Sequence, residues 1–179
     1  VTDSPDRHPG TRVDEPLSAR DLDDVAAQLG RPLRGRCRAA HRCSCGAVDV
    51  VATAPRLDDG TPFPTTFYLT CPRATGALST LESDGLMRHL ADLLARDDEL
   101  AAGYRAAHQA YLHHRDRLAE HFGLDVPEIA GVSAGGMPTR VKCLHVLAAH
   151  ALAAGVGVNP LGDQALARLD DWGTSGRCR

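Results

Sequence analysis

The sequence predicts an α+β fold: a mostly helical single domain with a small antiparallel sheet near its N-terminal third and a central buried helix. Three observations carry that prediction. β-prone runs gather between residues 36 and 70, separated by stretches rich in proline and glycine. Segments with helical apolar spacing follow from residue 73 onward. One of these, ending at Ala154, is apolar on nearly every side, as a helix enclosed by others must be. A chain of 179 residues suits one domain with a substantial core.

In chain order, residues 1–18 are polar and proline-bearing, and they are expected to form a disordered tail. The globular domain is expected over 19–172, with a flexible tail over 173–179. ARDLDDVAAQLG (19–30) carries Leu22, Val25, Ala26 and Leu29 on one face and closes on Gly30, a short amphipathic helix. RCRAAHRC and AVDVVAT (36–53) read as strands around the tight turn C-S-C-G. APRLDDGTPFPT (54–65) is too rich in proline and glycine for regular structure. TFYLT (66–70) is another β-prone run, so the sheet is expected to hold two or three strands. RATGALSTLES and DGLMRHLADLLAR then form one helix or two, interrupted near Gly85.

Residues 99–122 are the clearest element. Leu100, Tyr104, Ala107, Tyr111, Leu118 and Phe122 make a helical stripe, Asp97 or Asp98 can cap its start, and Gly123 can close it. At 1.5 Å per residue this helix is about 36 Å long. PEIAGVSAGGMP is a glycine-rich loop, and its Pro138 suits the first turn of the next helix, which stops at Gly155. GVGVNPLGD is another tight loop, and DQALARLDDW a short closing helix.

The net charge of −3 gives no broad electrostatic reason to favour nucleic acid or an anionic membrane. No apolar run approaches the roughly 20 residues needed to cross a bilayer, and the first twenty residues hold no secretory apolar stretch. The reading is a cytoplasmic protein without nucleic acid or membrane insertion, and with a protein partner as an option. In that compartment the six cysteines are thiols or metal ligands rather than a disulfide framework.

Cys43 and Cys45, separated by Ser44, would share one face of an extended strand, where a metal could touch either. Cys71 stands in LTCP where a strand gives way to a helix, and the helix start favours a thiolate. RVKCLHVLAAH (140–150) poses a geometric problem, because Cys143 and His145 point to nearly opposite sides of an unbroken helix. Three arrangements stay open. The helix begins only near Leu144, so that the two side chains converge from its irregular first turn; or Cys143 alone faces a site; or both are core residues. SAGGMP offers free N–H groups before a helix, so Gly135, Gly136 and the only lysine, Lys142, are candidate anion ligands. His108, His113, His114 and His121 on the long helix lack i,i+4 metal-binding spacing and read as solvated or partly buried side chains. The sequence contains no GxSxG, Walker A, HExxH or GxGxxG pattern.

The ordered strings FPTTFYLTCP, LESDGLM, PEIAGVSAGGMPTRVKCLH and VNPLGD resemble the bacterial family known as domain of unknown function 501, in its actinobacterial form. The likeness spans roughly residues 24–170. It implies a housekeeping role and supplies no mechanism. Its more distant members carry an Arg-Cys pair followed by an aromatic residue and glycine, of which Arg42-Cys43 and Gly46 match, so the resemblance favours Cys43 over Cys45.

Three functions are weighed on this basis. In the first, Cys43, Cys71, Cys143 and His145 converge on one transition metal, zinc above all, with an iron–sulfur cluster as the variant. In the second, Cys143 or Cys71 is the nucleophile of a thiol-dependent enzyme, a histidine is its base, and the Gly135–Gly136 loop with Lys142 holds a small anionic substrate. In the third, the protein is a non-catalytic module that binds a partner through an exposed apolar patch.

Overall fold

The computed structural model describes residues 10–169 and Trp172. Strands β1 (Gly10–Pro16), β2 (Cys37–Cys43), β3 (Val48–Thr53) and β4 (Phe67–Leu69) form one antiparallel sheet in the order β1-β2-β3-β4. The helices are α1 (Ala19–Leu29), α2 (Pro72–Ser83), α3 (Leu86–Leu94), α4 (Asp98–Phe122), α5 (Leu144–Ala154) and α6 (Pro160–Leu166). The expected mostly helical α+β fold is the observed one.

The sheet lies between α1 on one face and the remaining helices on the other. Val25 of α1 packs with Ala39, Val48 and Val51, while Val50, Ala52, Phe67 and Leu69 join the main core around α5. Every residue of β3 is buried because both of its faces are covered. The β2–β3 hairpin turns through Gly46, whose φ of +83° suits a residue without Cβ, and Gly46 N–H donates to Cys43 O at 2.8 Å.

Two boundaries differ from the sequence reading. Residues 10–16 pair with β2 as strand β1, and Ser18 caps α1 in a reciprocal capping box with Asp21, so order begins inside the expected 1–18 tail. Residues 1–9 and the expected 173–179 tail lie outside the described residues. The closing helix starts at Pro160 rather than Asp163, because the Asn159 side chain accepts the Gly162 N–H at 3.0 Å and Pro160 occupies the first helical position.

Helix α5 is the centre of the molecule. Eight of its eleven residues are buried. It packs on the sheet, on α2 and on α6. The approach to α6 is close enough that a Cβ on Gly162 would stand 2.2 Å from Leu147 O. The long helix α4 begins at the Asp97 cap and ends at Gly123, as its sequence signals predict. Tyr104, His108 and Arg115 on its buried face hold the loop before α5. Tyr104 Oη donates to Arg140 O at 3.0 Å, His108 Nδ1 meets Ser133 Oγ at 2.8 Å, and Arg115 donates to Val132 O.

Candidate functional site

Cys143 has φ −160° and ψ 113°, an extended backbone, and it is the N-cap of α5, whose first helical residue is Leu144. The chain therefore leaves helical geometry at the residue where the sequence left three arrangements open. With Cys143 extended and His145 in the first turn, the two side chains meet, with Sγ and Nδ1 3.8 Å apart. Both are partly exposed.

The third member is Glu82, from the last turn of α2. Its Oε1 accepts the Leu144 N–H at 2.7 Å, one of the unpaired amides of the α5 start, and lies 3.2 Å from His145 Nδ1. His145 Nε2 lies 3.0 Å from Thr75 O, two turns earlier on α2. A carbonyl can only accept, so Nε2 carries a proton and Nδ1 is the atom that faces the thiol and the carboxylate. Ser79 Oγ, 3.3 Å from Nε2, steadies the same edge of the ring.

The electrostatics follow from these contacts. The hydrogen bond with Cys143 pushes the His145 pKa up to about 9 against the opposing effect of burial, helped by the Thr75 carbonyl and the Glu82 carboxylate. Burial raises the Cys143 pKa, but the His145 contact and the Val146 amide outweigh it and leave the thiol below its ordinary value. A cavity of about 400 Å³ opens beside the pair. Besides Cys143 and His145, its polar lining consists of Gln28, Thr65, Tyr68, Thr70 and Thr75, with no arginine or lysine.

Among the described residues, Glu82, Cys143 and His145 are the one group of three or more candidate metal ligands whose donor atoms all lie within 4.8 Å of one another. Of the four expected ligands, Cys143 and His145 belong to it, while Cys43 and Cys71 stand outside. Cys43 is buried at the end of β2. Cys71 is buried as the N-cap of α2, a full turn before Thr75 and roughly 16 Å along the helix from Glu82.

The glycine loop closes a turn ahead of α5. Gly135 and Gly136 have φ of +71° and +96°, and a Cβ on Gly136 would lie 2.4 Å from Arg140 O. Their carbonyls accept the Lys142 and Arg140 N–H groups, both at 2.8 Å. The turn is thus closed on itself, and it aims the chain at Cys143. Lys142 is exposed.

The sequence model of a family described as "Protein of unknown function (DUF501)" matches residues 39–167. The chain belongs to the DUF501 family. The matched span contains all three clustered residues, the cavity wall from Thr65 to Thr75, and the loop that delivers Cys143, whereas β1 and α1 precede it. No curated protein and no solved structure matches the chain. No helix among the described residues is long and apolar enough to cross a membrane.

Glu82 was missed as a ligand by sequence reasoning, although LESDGLM is among the strings that carry the family resemblance. Its position in that string was the available signal. Thr75 contributes a backbone carbonyl, for which side-chain identity offers no signal.

Proposed function

We propose that this protein binds a divalent transition metal, zinc in the first instance, through Glu82 Oε1, Cys143 Sγ and His145 Nδ1, with a fourth coordination position turned toward the adjoining cavity. The observation that carries the proposal is the approach of one oxygen, one sulfur and one nitrogen donor from two helices to within 4.8 Å of one another. Zinc–sulfur bonds of about 2.3 Å and zinc–nitrogen or zinc–oxygen bonds of about 2.0 Å place tetrahedral neighbours about 3.3–3.5 Å apart. The separations of 3.8 and 3.2 Å around His145 Nδ1 are close to that. The Thr75 carbonyl supplies the outer contact that commonly fixes the tautomer of a metal-bound imidazole. A single sulfur among nitrogen and oxygen donors suits zinc better than an iron–sulfur cluster, which is held mainly by thiolates. Three protein ligands and an open position are the pattern of catalytic rather than structural zinc.

The test is metal content after purification of an untagged protein. About one equivalent of zinc is expected. It should be lost in Cys143→Ser and reduced in Glu82→Gln, yet retained in Cys43→Ser and Cys71→Ser. Less than about 0.2 equivalents, with no uptake from a zinc buffer, would overturn the proposal.

One observation favours a second reading. Both ring nitrogens of His145 face acceptors, and the thiol beside it sits at a helix start and on a cavity. That is the setting of a thiolate–imidazolium pair, in which Cys143 attacks an electrophilic substrate and His145 moves the proton. A metal-free protein whose Cys143 is alkylated far faster than its other cysteines near neutral pH would select this reading.

A further inference from the structure

At the opposite end of α5 from Cys143, two adjoining cavities of about 210 and 510 Å³ share Asp14, His114, Arg117 and Ala153. They form one groove bounded by β1, β2, α4 and the last turn of α5. Arg12, Arg38 and Arg117 line it, against the single carboxylate of Asp14. In a chain of net charge −3, such a concentration of guanidinium groups is a local feature.

The three arginines are engaged to different degrees. Arg38 is the most engaged, with three of its five donors used: Nε donates to Asp14 Oδ1 at 2.7 Å, Nη2 to Asp14 O at 3.0 Å, and Nη1 to His121 Nε2 at 3.3 Å. Asp14 therefore neutralises Arg38. Arg12 donates through Nη1 to Ala154 O, the last carbonyl of α5, at 2.6 Å. Arg117 donates through Nη2 to His114 Nδ1 at 3.3 Å. Each of these bonds fixes a guanidinium while occupying one of its five N–H donors. Because His114 Nδ1 accepts, the ring's proton sits on Nε2, which adds a neutral donor to the groove.

We propose that this groove binds a small molecule through a phosphate group, with Arg12 and Arg117 holding the oxyanion. Two guanidinium forks presented from different elements would take up every lone pair of one planar carboxylate, whereas a tetrahedral phosphate meets both and keeps an oxygen to spare. Two cations that have no carboxylate partner among the described residues also match a dianion in charge. The remaining volume leaves room for an organic substituent. None of these residues belongs to the metal centre, so the two assignments stand or fall separately.

Calorimetric titration of the full chain with inorganic pyrophosphate, at fixed ionic strength, tests the assignment. One saturable site is expected. Arg117→Ala should weaken it about tenfold, as should Arg12→Ala, while Arg96→Ala, beyond the end of α3 and outside the groove, should leave it unchanged. Arg12 also closes α5, so thermal melting of each variant is measured alongside. Arg117→Gln, which removes charge from an exposed α4 position, keeps the test decisive if Arg12→Ala unfolds. Absence of saturable binding, or equal weakening by Arg96→Ala, would overturn the proposal. Binding to vesicles containing phosphatidic acid without binding to pyrophosphate would overturn the small-molecule assignment.

Discussion

His150 is fully buried on α5, stacked on Phe67 at 5.4 Å between centroids and edge-on to Tyr111 at 5.1 Å. The Asn159 side-chain oxygen accepts from Gly162, which fixes the amide's orientation and makes its Nδ2 the donor to His150 Nδ1 at 3.2 Å. The ring is therefore neutral with its proton on Nε2, an atom that has no hydrogen-bond partner among the described residues. Burial, with a smaller contribution from His114, pushes the His150 pKa down from 6.5 to about 3. The sign follows from linkage. The unfolded chain takes up this proton as pH falls below 6.5 while the folded chain refuses it, so stability is complete above that pH and declines toward pH 3. At 1.36 kcal/mol per pH unit, the loss between pH 7.5 and pH 5.0 is roughly 2 kcal/mol from this one group. His150→Phe keeps the aromatic stack and removes the titration. Urea unfolding of both proteins at the two pH values should show the variant losing about 2 kcal/mol less than the parent. Other depressed groups, such as His114 and the Arg42-paired Asp21, are common to both proteins and cancel in the comparison. Identical losses in parent and variant would refute the reasoning.

Two further outcomes follow from packing. Gly162→Ala places a Cβ 2.2 Å from Leu147 O and 2.8 Å from Ala151 Cβ, so it should destabilise the fold by about 3 kcal/mol in urea unfolding. By contrast Gly76→Ala on α2, with no atom within 4 Å of the new Cβ, should be neutral or stabilising by up to about 1 kcal/mol. Tyr111→Phe removes the hydroxyl that accepts the buried Thr66 N–H at 2.6 Å, and a loss of about 1–3 kcal/mol is expected, with faster hydrogen exchange at Thr66.

Much of the fold was legible because the local signals agreed with one another. Leu22, Val25, Ala26 and Leu29 share a face of α1, and Gly30 closes it in the left-handed conformation that favours glycine. Asp97 and Gly123 bracket α4, and Gly85 separates α2 from α3. Strand β1 was illegible for a physical reason. It is an edge strand with polar, proline-ended sequence and an irregular register between Arg12 and Glu15, so nothing in its own pattern reveals the partner that orders it. The candidate site divides in the same way. Cys143 and His145 were visible as residue types, but their meeting depends on one extended residue at a helix boundary, which the apolar run conceals. Glu82 lies on a half-exposed helix face where carboxylates are ordinary, and only the tertiary approach of α5 distinguishes it. Gly135 and Gly136 read more readily as a tight turn than as an anion cradle, but only the folded chain shows the Arg140 carbonyl beside them.

The bond between the Glu82 carboxylate and the Leu144 amide joins positions 62 apart in the chain. Everything between them, including the whole of α4, has to be folded back before the two helices can touch. Closing a loop of that length carries an entropic cost that no local contact offsets. A molecule in which α2 and α5 have come apart therefore retains the three residues without the site.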